Sequence, residues 1–240
     1  MSDQPMHVLA IRDLSYAWPR TTAPVLSIRD LTISAGESVF LRGPSGSGKS
    51  TLLSAIAGVI ETQPGMVSVA GQDIGAMRSA ARDQLRADHL GIVFQVFNLV
   101  PYLSVLDNVL LPCRFSPTRR ARAGGGNAET AARDLLAGFG LGDQAMLRRR
   151  PGDLSVGQQQ RVAAARALIG SPDLVLADEP TSALDSDLKA EFVDLFLSEC
   201  KKSAAALLFV SHDRTLEPSF SRSLEFTALN TVPQAEGASC

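Results

Sequence analysis

The sequence predicts an α/β fold in which helices cover a largely parallel sheet, and three observations carry that reading. From residue 158 onward helical and strand-like patterns alternate, as repeated strand–helix units require. Two of those strand patterns, "DLVLADEP" (173–180) and "AAALLFVSHD" (204–213), are continuous apolar runs, the mark of strands buried on both faces. Between an apolar strand and an apolar helix stands a glycine-rich loop, "GPSGSGKST" (43–51).

The elements follow in order. Residues 6 to 42 alternate apolar and polar positions ("VLAIRDLSYAW", "VLSIRDLTISAGESVFL") with turn residues between, which predicts a small antiparallel sheet leading into the loop's strand. After the loop, Leu52, Leu53, Ile56 and Ile60 fall at helical spacing. "GMVSVAGQDI" predicts a short strand pair, and residues 79 to 150 turn mainly helical. Asn127 is placed to cap "AETAARDLLAGF", with Gly138 or Gly140 near its end and "AGGG" (123–126) as a flexible connection. A helix at "QQQRVAAARALIG", the first buried strand, a helix over 186–202 and the second buried strand complete the alternation. The expected organisation is a single domain over 1–229, with a helical subdomain about 96–160 and a disordered tail, "NTVPQAEGASC", at 230–240.

Bulk composition narrows the function classes. With 240 residues and 45% hydrophobic content the chain can bury a full core. A net charge of −2 gives no general attraction to a nucleic-acid backbone. Two basic clusters, Arg119/Arg120/Arg122 and Arg148 to Arg150, read as solvated faces near helix ends. Cys113, Cys200 and Cys240 are scattered and in no metal-ligand spacing, which points to a reducing compartment. The N-terminus lacks the pattern of a signal peptide and no apolar run approaches about 20 residues. A cytoplasmic chain is the expectation.

The loop matches G-x-x-x-x-G-K-S from Gly43 to Ser50. Glycines at 43, 46 and 48 let backbone N–H groups turn inward as a nest for phosphates, and the following helix adds its positive end. Lys49 would reach the β- and γ-phosphates, Ser50 would offer a hydroxyl to Mg²⁺, and Thr51 would donate to the α-phosphate. Turnover also needs Mg²⁺ held and a water oriented. Asp178 and Glu179 emerge at the carboxyl end of a strand, where ligands of α/β sheets sit. Asp178 would hold the metal and Glu179 act as general base, with capping of the next helix as the alternative reading.

"LSVGQQQRVAAARAL" (154–168) followed by "LVLADEPTSALD" (174–185) resembles the signature, Walker B and D-loop of an ATP-binding cassette (ABC) ATPase, and the resemblance covers about residues 7 to 215. It implies a P-loop NTPase fold with a RecA-like core sheet, an N-terminal antiparallel β-subdomain and a helical subdomain. It implies ATP and Mg²⁺ as ligands. The nucleotide set would comprise Gly43, Pro44, Ser45, Gly46, Ser47, Gly48, Lys49, Ser50 and Thr51, with Tyr16 stacked on adenine and Trp18 as its alternative. Gln95 in "VFQVFNLVP" would touch metal and water, beside Ser50 and Asp178, and His212 would contact the γ-phosphate. His7 and His89 have no such context.

The same resemblance implies a partner. Two cassettes would face each other head to tail, with Ser155, Gly157 and neighbouring Gln158 of one serving the nucleotide held by the other, and Asp185 reporting between sites. The chain departs from the family at Val156, where glycine is usual, and a β-branched residue would resist a positive φ there. "FQVFNLVPYLSVLDNVLLP" (94–112) is similar to cassettes of the lipoprotein-release and macrolide-efflux type, whose groove for a permease helix would include Phe97, Leu99 and Val100. The expected role is the ATPase of an exporter or mechanotransmission complex. It would sit on the inner face of the membrane through a separate transmembrane permease. A cell-division-type cassette and an amino-acid-importer ATPase are alternatives, and the short stretch after His212 argues against a sugar importer. A soluble ABC protein of DNA repair or translation is disfavoured, because there is one motif set and no basic stripe.

Overall fold

A computed structural model describes residues 7–19 and 23–232, with the side chains of 186 and 187 excepted. Strands β1 (His7–Tyr16) and β2 (Leu26–Ser34) form the antiparallel ribbon that the N-terminal alternation predicts. Next come β3 (Ser38–Arg42), the glycine loop, and α1 (Lys49–Ile56). Strands β4 (Val67–Val69) and β5 (Gln72–Asp73) complete the first sheet in the order β2-β1-β4-β5.

Helix α2 (Ser79–His89) runs without a turn residue into β6 (Leu90–Val93). This strand is an element within the mainly helical 79–150 stretch that the sequence pattern did not mark. Helices α3 (Val105–Phe115), α4 (Pro117–Arg122), α5 (Ala128–Gly138) and α6 (Gln144–Arg148) then precede α7 (Val156–Leu168). The chain closes with β7 (Leu174–Asp178), α8 (Ser186–Ser203), β8 (Ala206–Val210), β9 (Arg222–Glu225) and α9 (Phe226–Leu229).

The second sheet has the order β6-β7-β8-β3-β9, and every pairing in it is parallel. Its residues alternate between two cores. Phe40, Val175, Ala177, Leu207 and Phe209 face a cluster built with α3, α5, α7 and α8, while Val39, Leu41, Leu174, Leu176, Leu208 and Val210 face one shared with α1 and the antiparallel sheet. Burial on both faces is why β7 and β8 read as unbroken apolar runs.

Several local expectations change. Asn127 does precede α5, but its side chain makes no capping hydrogen bond, because a 3-10 turn at Gly125–Asn127 leads into the helix. That turn and the left-handed Gly124 (φ 87°) shape the "AGGG" connection. Asn230 and Thr231, assigned to the tail by sequence, are docked on β2. The Asn230 Oδ1 accepts from Ser27 N at 2.7 Å, its Nδ2 donates to Val25 O at 2.9 Å, and Thr231 N donates to Ser27 O at 2.9 Å. The remainder of the expected tail, 233–240 with Cys240, lies outside the described residues.

Arg119 is the largest correction. It is 2% exposed rather than solvated, and its guanidinium serves the carbonyls of Leu90, Ala167 and Ile169, which pins α4 to β6 and to the end of α7. Arg122 pairs with Asp173, which also binds His89 Nδ1 at 2.7 Å. Arg148 to Arg150 are exposed as expected.

Candidate functional site

The loop between β3 and α1 has the backbone the glycines predict. Gly46 (φ 77°) and Gly48 (φ 108°) take conformations that side chains resist, and Gly48 caps α1. A Cβ on Gly43 would meet Phe226 Cβ at 2.8 Å, so α9 packs directly under the loop. Lys49 is buried and spans the loop, donating to the carbonyls of Gly43 and Pro44 at 2.7 Å each. The Ser47 hydroxyl is buried without a partner. An inward-turned loop with a lysine across it and an unused hydroxyl suits an anion with several oxygens.

The carboxylates arrive from β7. Ser50 Oγ donates to Asp178 Oδ2 at 3.0 Å, which brings a hydroxyl and a carboxylate from two elements to one point. Among the described residues no cluster of three metal-ligating side chains exists. A divalent ion here would therefore complete its shell with phosphate oxygens and water, as Mg²⁺ does. The donor set, one hydroxyl and one carboxylate beside a phosphate nest, fits that ion.

Glu179 has φ 46°, a left-handed conformation that costs a non-glycine residue about 1–2 kcal/mol. The turn is held from both sides. Glu179 N donates to Val210 O at 3.0 Å, and the buried Gln160 of α7 donates Nε2 to Pro180 O at 2.5 Å. The strained backbone aims the carboxylate at His212, with Oε2 and Nδ1 2.9 Å apart. Next to His212, Asp213 bonds Thr215 and pairs with Lys189 of α8 at 3.0 Å, and these bonds hold its pKa down to about 2.

These groups line one cleft of about 610 Å³, with Trp18, Lys49, Gln95, Asp178, Glu179 and His212 around it. Ser45, Gly46, Gly48, Ser50 and Thr51 also border it. Tyr16 does not. It packs against the inner core and meets Trp18 edge-on at 5.3 Å, leaving Trp18, 43% exposed, as the aromatic on the cleft. Val25 and Ser182 border the cleft as well, and no sequence motif had marked them.

Ser155, Gly157, Gln158 and Asp185 are absent from the cleft lining. Ser155 caps α7 in a reciprocal box: Gln158 N donates to its Oγ at 3.3 Å, and its own N–H donates to Gln158 Oε1 at 3.0 Å. Val156 is the first residue of α7 and is not among the residues with positive φ, so the departure from glycine costs the backbone nothing. A Cβ on Gly157 would meet Leu184 Cδ2 at 3.7 Å, an ordinary van der Waals contact. Asp185 caps α8, accepting from Leu188 N at 3.1 Å.

The profile of the ABC transporter family matches residues 26–182, well over half of the chain. The chain belongs to this family. As an ABC cassette it is an ATPase, and it shares 40% identity over 211 residues with the lipoprotein-releasing system ATP-binding protein LolD of Novosphingobium aromaticivorans, covering 87% of this chain and 91% of LolD. It is 39% identical over 203 residues to an ABC transporter ATP-binding protein of Mycobacterium tuberculosis, covering 85% of this chain but 59% of that relative's length. Among solved structures, the cassette MJ0796, described as dimeric in a post-hydrolysis state with ADP and Pi, superposes with a TM-score of 0.74 at 31% identity. That match covers 97% of this chain and 99% of MJ0796. No described helix of the cassette is long and apolar enough to cross a membrane.

Proposed function

We propose that this cassette is the ATP-hydrolysing subunit of a bacterial exporter or mechanotransmission complex, working as a head-to-tail dimer beneath a separate membrane permease. The observation that carries the proposal is the meeting, on one cleft, of the phosphate loop, the Ser50–Asp178 pair and the Glu179–His212 pair. In this reading Gly43 to Thr51 cradle the phosphates, and Trp18 in place of Tyr16 faces the base. Bound Mg²⁺, held by Ser50 with Asp178 and Gln95 close by, would offset phosphate charge. Glu179 takes a proton from the attacking water, and His212 orients its carboxylate and faces the γ-phosphate.

Ser155, Gly157, Gln158 and Asp185 have no work in their own chain's cleft. They are the groups a second copy supplies to the nucleotide across the interface. MJ0796 is named as a dimer, which supports this arrangement. Loss of the γ-phosphate after hydrolysis removes charge that both halves hold, and the pair separates.

The permease contact belongs to an apolar groove at the seam between the parallel sheet and the helices. Two clefts of about 280 and 330 Å³ share Arg86 and Ile92. Val59 (64% exposed), Phe94 (42%) and Phe115 (72%) border them. Phe97 and Leu99 pack against the helical core instead, so within the 94–112 stretch it is Phe94, Leu111 and Pro112 that line the groove. The likeness to a lipoprotein-releasing system ATP-binding protein supports export over import, and with it a seat at the inner face of the membrane. The test is tagged Glu179→Gln protein with and without MgATP. A doubled mass in gel filtration, and recovery of a membrane protein with a large extracytoplasmic domain from solubilised membranes, are expected. A monomer in both nucleotide states together with only soluble partners would overturn the proposal.

A further inference from the structure

Gln95 stands in a segment whose Phe97 and Leu99 rest on the helical core but whose backbone has few ties. Strand β6 ends at Val93 and α3 starts at Val105, and among the described residues no backbone–backbone hydrogen bond involves residues 96 to 99. Val96 is 74% exposed. Segments whose backbone is unpaired open easily, whereas an amide that meets a metal and the attacking water must be placed to within about 1 Å.

Two side chains from neighbouring helices anchor the segment. Downstream, the fully buried Asn108 accepts from Val100 N at 2.8 Å and donates to Val100 O at 3.1 Å. Upstream, Arg166 of α7 donates Nη1 to Asn98 O at 2.6 Å and Nη2 to Phe97 O at 2.7 Å. Successive carbonyls of an extended chain point to opposite sides. Here the left-handed Asn98 (φ 50°) marks the turn at which both meet one guanidinium. A planar fork offers these two carbonyls parallel donors in a fixed geometry, whereas a lysine offers a single, freely rotating ammonium on a flexible stem.

Burial lowers the Arg166 pKa from its usual value, a cost of keeping the cation inside this contact. Arg166 also lines the seam groove together with Ile92 and Phe115.

We propose that Arg166 is a positioning residue for Gln95, holding the Phe97 and Asn98 carbonyls so that the amide upstream keeps its place in the cleft. This rests on the reading of Gln95 as a contact to metal and water. Arg166 touches no substrate itself. It acts through backbone, and it does so from the helix whose first turn carries the signature residues.

The test compares Arg166→Lys, Gln95→Ala and the double variant in the full chain, by steady-state ATPase kinetics, Tm and hydrogen exchange. Lysine keeps the charge but loses the rigid two-pronged geometry. The expected result is a kcat about tenfold lower with KM within about twofold, since misplacement harms the reacting geometry more than binding. Exchange should rise only in peptides covering 94–100, and the double variant should be no slower than Gln95→Ala, as for residues acting in one chain of contacts. Unchanged kcat in Arg166→Lys, or losses that multiply in the double variant, would overturn the proposal. So would a variant that fails to fold or exchanges faster throughout α7, because Arg166 would then be a structural tie alone. Wild-type turnover in Gln95→Ala would instead sink the reading of Gln95 and take the proposal with it, an outcome visible in that single variant.

Discussion

Replacing Arg119 by methionine puts a number on the contact that most contradicts the sequence pattern. The guanidinium donates from Nε to Ile169 O at 2.8 Å, from Nη1 to Leu90 O at 3.1 Å and from Nη2 to Ala167 O at 2.6 Å. Ala167 lies in the last turn of α7 and Ile169 is its C-cap, where carbonyls lack partners within the helix. Methionine fills the space of the stem but donates nothing, and each buried carbonyl left unpaired costs about 1–3 kcal/mol. Removing the cation returns part of this. Burial has pushed the Arg119 pKa down to about 10, a sign that the charge is held at a cost although it is retained at neutral pH. Because buried ions lose several kcal/mol of hydration, the balance is a net loss of about 3 kcal/mol, or roughly 6–12 °C in Tm for a chain of this size. Urea denaturation with an unchanged m-value measures it. Arg120→Met is the control, since Arg120 is exposed and its Nε serves only Cys113 O at 3.0 Å; it should lose under about 1 kcal/mol. Equal losses in the two variants, or less than about 1 kcal/mol for Arg119→Met, would refute the reasoning.

Three further outcomes are expected. Trp18→Ala should weaken nucleotide binding about five- to tenfold, the worth of one ring stack, whereas Tyr16→Ala should lower Tm and leave affinity nearly intact; a fluorescent-nucleotide titration showing the reverse would return the base contact to Tyr16. Glu179→Gly and Glu179→Ala should both lack turnover, but the glycine variant should be more stable by about 1 kcal/mol because it relieves the left-handed φ of 46°. Equal unfolding midpoints would show that the turn stores no strain. Asp213 has its pKa lowered by Thr215 and Lys189 to about 2, so its stabilisation is fully present above the unfolded carboxylate pKa and is lost as pH falls toward 2. Asp213→Asn should therefore flatten the acid limb of stability between about pH 4 and 2 relative to the parent, and identical acid limbs would assign that limb to other groups.

What the sequence carried and what it hid follow from the range of the forces involved. The phosphate loop, β7 and β8 were legible because their chemistry and burial repeat within a few neighbouring residues. Strand β6 was not, since Leu90 is at once the C-cap of α2 and the first strand residue, with no glycine or proline between. Strand β9 is a four-residue, half-exposed edge and left no alternation to detect. Tyr16 and Trp18 look equivalent two residues apart, but β1 ends at Tyr16, and Trp18, just past the strand, borders the cleft while Tyr16 does not. Arg119 sat in a basic cluster typical of a wet helix end. Its helical neighbours at 116 and 123 are the small, buried Ser116 and Ala123, and that periodicity was the available signal for an inward face.

The strand order has a consequence for synthesis. Strand β3, which delivers the phosphate loop, is hydrogen-bonded on both sides to segments made much later, β8 at 206–210 and β9 at 222–225. A ribosome adding about 5–20 residues per second spends roughly 10–30 s between β3 and β8. Throughout that interval the nascent chain can pair β1 with β2 but cannot complete the nucleotide cleft, whose His212 has yet to emerge. ATP thus cannot act as a folding template for the growing chain; it can select only finished molecules, and a product truncated before β8 would carry the loop's motif without its grip.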